Sequence, residues 1–166
     1  MKIKKTLLTL LFVPLYLSAE QFIEKPIGDF SMLSEFSSVN QFENYIEEYV
    51  QSCLDESLGG SLTVRCFVNY EIWDRELNYY YQQLYKTLDD DGKELLKDSQ
   101  RSWLKVRDKS TNFNNYLLDR RYSGKQGSMY TAFKASDTNN FLSTMVKHRA
   151  LLLKEWLAFN NSKDDK

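Results

Sequence analysis

The stretch Leu62-Thr-Val-Arg-Cys66-Phe-Val-Asn-Tyr70-Glu-Ile-Trp73-Asp-Arg-Glu-Leu77-Asn-Tyr-Tyr80-Tyr-Gln-Gln-Leu84-Tyr-Lys-Thr-Leu88-Asp89 decides the class of fold. Cys66, Tyr70, Trp73, Leu77, Tyr80, Leu84 and Leu88 follow one another at steps of three or four residues. A helix keeps such a series on one side, and a strand does not. The stretch therefore predicts a long helix over about 62–89 with a heptad-like seam, its middle crowded by Tyr79, Tyr80, Tyr81 and Tyr85.

Working outward, Phe42, Tyr45, Ile46, Tyr49, Val50 and Cys53 trace another wide apolar stripe, predicting a helix over about 39–55 with Ser38 as its N-cap. Gly59-Gly60 predicts a turn between the two. On the other side, Asp89-Asp-Asp91-Gly92 interrupts the seam, and its acids suit the positive end of a following helix. That helix is expected over about 91–119 with Leu95, Leu96, Trp103 and Val106. The loop Ser123-Gly-Lys-Gln-Gly-Ser128 comes next, then a helix over about 129–159 with Phe133, Phe141, Met145, Leu152 and Trp156. Residues 20–37, with Pro26 and Gly28 and no sustained period, read as an extended N-terminal arm, and 160–166 as a disordered tail. No strand period persists anywhere. The expected class is all-α, an antiparallel bundle of about four helices, with one helical domain over 38–159.

Residues 1–19 read as a signal peptide: Lys2, Lys4 and Lys5, the apolar Leu7 to Leu17, then Ser18-Ala19. The expected destination is the periplasm, without stable membrane insertion after cleavage. The two cysteines, Cys53 and Cys66, would then meet an oxidising compartment and form one disulfide. Two cysteines and the lone His148 do not make a zinc site, so no metal and no cofactor is expected. Without residues 1–19 the chain holds 19 basic and 23 acidic side chains, net −4. The charge is uneven, −11 over 20–98 and +7 over 99–166. Either the halves neutralise each other across helices, or an acidic face steers a basic partner. Compartment and sign argue against nucleic acid.

Gln100, Trp103 and Arg107 share one helical face, an unusual mixture of amide, indole and guanidinium for a plain core. Leu77-Asn78-x-x-Tyr81 precedes this face and the helical Arg149 follows it. With these motifs, Gln100-x-x-Trp103-x-x-x-Arg107-Asp108 above all, the chain resembles the LprI-like family over about residues 50–157. Gly127-Ser128 is similar to the family's glycine loop. The resemblance implies a secreted helical protein that inhibits lysozyme. A second cysteine pair common in the family is missing, its places falling near Thr111 and Phe141.

The motif face has a structural reading. A buried Arg107 paired with Asn78, Glu71 or Asp74 would sit beside a core Trp103, with Gln100 completing the network. The partner-binding candidate is the loop Tyr122, Ser123, Lys125, Gln126, Ser128 and Tyr130, because aromatic and small hydroxyl side chains with glycines make adaptable contact surfaces. Its cation and hydroxyls would address the paired carboxylates of a lysozyme cleft. No catalytic residue is assigned, since Ser102-x-x-Lys105 and Ser136-Asp137-Thr138 are short patterns in the wrong context. The expected partner is a lysozyme or other peptidoglycan hydrolase. The alternatives are immunity to a wall-degrading toxin, or structural self-association as a homo-oligomer through the Tyr-rich seam.

Overall fold

A computed structural model describes residues 23–57 and 61–162. The expected signal peptide, the Gly59-Gly60 turn and the end of the tail lie outside the described residues. Four α-helices carry the fold: α1 Val39–Ser57, α2 Asn69–Thr87, α3 Asp90–Arg121 and α4 Ser128–Asn161. There is no strand among the described residues, and no helix there is long and apolar enough to cross a membrane.

The helix ends follow from local chemistry. Ser38 Oγ accepts the Gln41 N–H, and Asp89 Oδ1 accepts the Gly92 N–H at 2.8 Å, so both caps fall where side-chain acceptors precede an apolar series. The expected helix over 62–89 begins later. Ser61–Cys66 is a 3-10 helix and α2 starts at Asn69. Over six residues a period of three and one of 3.6 are indistinguishable in sequence, and tertiary contacts settle which forms. The break brings Cys66 within 5.5 Å, Cα to Cα, of Cys53 on α1, and the two form the disulfide. At the start of α2 no side chain of its own caps the helix. The buried Asn139 of α4 does so instead, accepting the Tyr70 N–H at 3.0 Å and donating to Asn69 Oδ1.

Consecutive helices run antiparallel, and α2 and α4, which make the main packing interface, therefore run in the same direction. Asn139 lies beside Asn69 at one end and Asn160 beside Thr87 at the other. The core between them comprises Ile72, Trp73, Leu77, Tyr80 and Leu84 of α2 with Val146, Ala150 and Leu153 of α4, and Phe42, Ile46 and Val50 close it from α1. On α4 the inward face is not the one its large residues suggest. Phe133, Phe141, Leu152 and Trp156 are exposed, whereas Ala132, Asn139, Val146, Arg149, Ala150 and Leu153 are buried. On α3, Leu96 and Leu118 are buried but Leu95 and Val106 face water.

The arm before α1 is more than an extended strap. Its 3-10 turns Ile27–Asp29 and Leu33–Glu35 flank Phe30 and Leu33, both buried, and Phe30 meets Tyr49 edge to face at 4.8 Å. Arg75 fastens it, donating to the carbonyls of Ile27, Phe30 and Ser31 at 2.7–2.9 Å. Ion pairs are mostly local. Among the described residues, Lys147 with Glu43 is the pair that joins the acidic first half to the basic second half across separate helices. Cross-helix neutralisation is therefore slight.

The disulfide ties α1 to the 3-10 helix, which in turn packs against the first part of α4. Closing a loop of about 14 residues is worth about 3 kcal/mol. Reduction without denaturation should lower the unfolding free energy by about that amount. Chemical denaturation with and without reductant measures it, and an unchanged midpoint would mean that the bridge adds nothing to stability.

Candidate functional site

Two places collect the residues singled out in the sequence. The first is a groove of about 360 Å³ between α2 and α3, lined by Leu77, Asn78 and Tyr81 on one wall and Gln100, Trp103 and Arg107 on the other. The motif residues thus meet across two helices, but they line a groove more than they fill a core. Leu77 is buried, Tyr81 and Trp103 are half-buried, and Asn78 is exposed and donates to its own helix at Asp74. Tyr81 stacks on Tyr85 at 6.1 Å.

The expected buried pairing of Arg107 with Asn78, Glu71 or Asp74 does not occur. Arg107 is half-exposed and donates to its neighbour Asp108 through Nε at 3.1 Å and Nη2 at 2.8 Å. The bond to Asp108 holds its guanidinium above its ordinary pKa despite partial desolvation. The buried guanidinium is that of Arg149, only 6% exposed. It donates through Nε to Gln100 Oε1 and through Nη2 to Ser99 Oγ, each at 3.0 Å. It also lies over the rings of Trp156, at 5.3 Å, and Trp103, at 6.0 Å. Among the described residues no carboxylate pairs with it, and burial pushes its pKa down. Gln100 does complete a network, with Arg149 at its centre.

The second place is the tip of the α3–α4 hairpin. Asp119 pairs with Lys134, and Ser99 and Gln100 with Arg149, so about residue 110 of α3 lies level with Asn139, where α2 begins. Beyond that level the two helices run on past the start of α2 by roughly eleven residues each, about 17 Å at 1.5 Å per residue, with Val64 and Phe67 beside Thr131, Lys134 and Ala135 of α4. Gly124 and Gly127 turn the chain at φ +73° and +103°, values that L side chains disfavour. The Tyr122 hydroxyl donates to Asp137 at 2.8 Å, with Arg121 on the same carboxylate. Lys125 Nζ stands 5.3 Å from the Tyr122 ring and 5.5 Å from the Tyr130 ring. Ser123 and Gln126 are exposed, and Ser128 is the first residue of α4 and so leaves the loop. The sequence singles out neither Lys134, which pairs with Asp119 of α3, nor Asp137 as the partner of Tyr122. A helix-facing acid and base carry no distinguishing sequence pattern.

Four helices with one bridge, a groove between α2 and α3 and a hairpin tip make up a small helical domain. The family model "Lysozyme inhibitor LprI" matches residues 62–153, more than half of the chain, and the chain belongs to that family. Comparison with curated proteins and with solved structures returns no match. The matched region contains α2, α3 and most of α4, hence both the groove and the hairpin, and leaves out α1 and Cys53.

Proposed function

We propose that this protein acts in the periplasm as an inhibitor of a lysozyme-type muramidase, and that the tip of the α3–α4 hairpin is the part that enters the enzyme's cleft. Family membership supports inhibition of lysozyme. The observation that carries the assignment of the tip is Lys125 held between the rings of Tyr122 and Tyr130 on a projecting loop. A substrate cleft is concave and carries two carboxylates. A hairpin tip that presents a cation flanked by aromatic rings matches it in charge. The pinning of Tyr122 by Asp137 limits the entropy lost on binding.

Lys125→Ala and Tyr130→Ala should each weaken inhibition by more than about 1 kcal/mol, roughly fivefold or more in the inhibition constant, with helicity unchanged. Lysis of cell-wall suspensions by several lysozyme types, titrated with protein, measures it. Wild-type protein that leaves every lysozyme active at large molar excess rejects the inhibitor reading. Full inhibition by the double variant rejects the tip.

A further inference from the structure

The groove between α2 and α3 is separate from the hairpin tip, and its chemistry is that of a small-molecule site. Its volume of about 360 Å³ lies within the range typical of ligand pockets. Leu77, Tyr81 and Leu104 supply apolar surface, and Trp103 borders it with the Arg107 guanidinium 5.7 Å from its ring centroid. A guanidinium can only donate, so the Gln100 atom facing Arg149 is the carbonyl oxygen, and the amide NH2 of Gln100 remains available to the groove. Asn78 is the complement, since its NH2 is committed to Asp74 and its carbonyl oxygen remains. The groove thus offers an amide donor on one wall and an amide acceptor on the other.

Its charge is positive. Lys97, Arg101 and Arg107 line it against the single acid Asp74. The local partners of these cations, Glu94, Asp98 and Asp108, do not line the groove, and the exposed pair of Arg101 with Asp98 is weak enough to rearrange. Arg149 adds an unneutralised positive charge directly behind Gln100. A buried cation without a carboxylate is costly unless a negative charge comes near.

We infer that this groove binds a pyranose bearing both an acetamido group and a free carboxylate, the chemistry of muramic-acid units whose lactyl group carries no stem peptide. The sugar's apolar face packs on Tyr81 and the edge of Trp103, its acetamido group pairs with Gln100 and Asn78, and its carboxylate meets Arg107 and Arg101. The protein would then hold peptide-free glycan at one site while the hairpin engages the enzyme at another.

The test is two-dimensional NMR of the purified protein titrated with three sugars. They are the disaccharide of N-acetylglucosamine and N-acetylmuramic acid, the N-acetylglucosamine disaccharide that lacks the carboxylate, and glucuronic acid that lacks the acetamido group. The expected result is a saturating shift of the Trp103 indole N–H with the first sugar, with Trp73 unmoved and at least roughly tenfold weaker binding of the other two. Gln100→Leu and Arg107→Gln should each weaken that binding roughly tenfold. Arg101→Gln, at an exposed position that cannot disturb folding, should weaken it severalfold. No saturation with any sugar, equal binding of all three, or wild-type affinity in Arg107→Gln and Arg101→Gln overturns the inference. Loss of lysozyme inhibition in these variants without sugar binding in the wild type also overturns it, and assigns the groove to a protein partner.

Discussion

Arg75→Met should destabilise the protein by about 3–5 kcal/mol, the cost of leaving a buried charge without its partner. The guanidinium makes three bonds to arm carbonyls and one, at 2.8 Å, to Glu76, whose side chain is 0% exposed. Without Arg75 the arm loses its anchor and Glu76 its cation. Arg75→Met combined with Glu76→Met should recover part of the loss, because the charge penalty disappears while the arm stays unfastened. Denaturant unfolding of the single and double variants measures both. Equal losses in the two would show that the arm, not the charge, carries the cost.

The same pair sets a dependence on pH. Desolvation by burial raises the Glu76 pKa, opposed by the hydrogen bond and charge of Arg75. Oε2 of Glu76 and the hydroxyl of Tyr80, one helical turn on, have no hydrogen-bond partner among the described residues. Burial, and then the Glu76 carboxylate, push the Tyr80 phenol up to about 12. A carboxyl whose pKa is higher in the folded state binds its proton more tightly there. Its contribution is therefore most favourable below its unfolded pKa and is lost as pH rises through the folded value. The stability of wild type relative to Glu76→Gln should fall as pH is raised from 4 to 7. A difference that stays flat or grows would contradict the raised pKa.

The second large effect separates two tryptophans. Trp73→Ala should cost about 3–5 kcal/mol, since its ring is 2% exposed and meets Phe42 edge to face at 5.2 Å. Trp103→Ala should cost about 1–2 kcal/mol, because its half-buried ring borders the groove and the space left opens to water instead of forming a closed cavity. Thermal unfolding ranks them. A larger loss at Trp103 would place that ring in the core.

The seam from Trp73 to Leu84 was legible because α2 is covered on its apolar side by two other helices, so burial follows hydrophobicity directly. Helix α4 misleads for a physical reason. Its large residues and its small ones recur with the same helical period, and close packing of parallel α2 and α4 favours the face with Val146 and Ala150. Periodicity reveals that a helix has faces but not which face a neighbour selects. The site divides similarly. The pattern names the residues of the groove, yet the exchange of roles between Arg107 and Arg149 turns on which arginine is buried against Trp156 and bonded to Ser99 and Gln100. That depends on how α3 is rotated against α4, a quantity no single helix encodes.

The parallel pairing of α2 with α4 also has a kinetic consequence. Its contacts join residues 69 to 73 positions apart, so the apolar side of α2 has to wait for a segment that is synthesised last. Contacts this distant carry a large loop-closure cost and slow the rate-limiting step of folding. The side of α2 that packs against α4 therefore stays uncovered until Val146, Ala150 and Leu153 have been made.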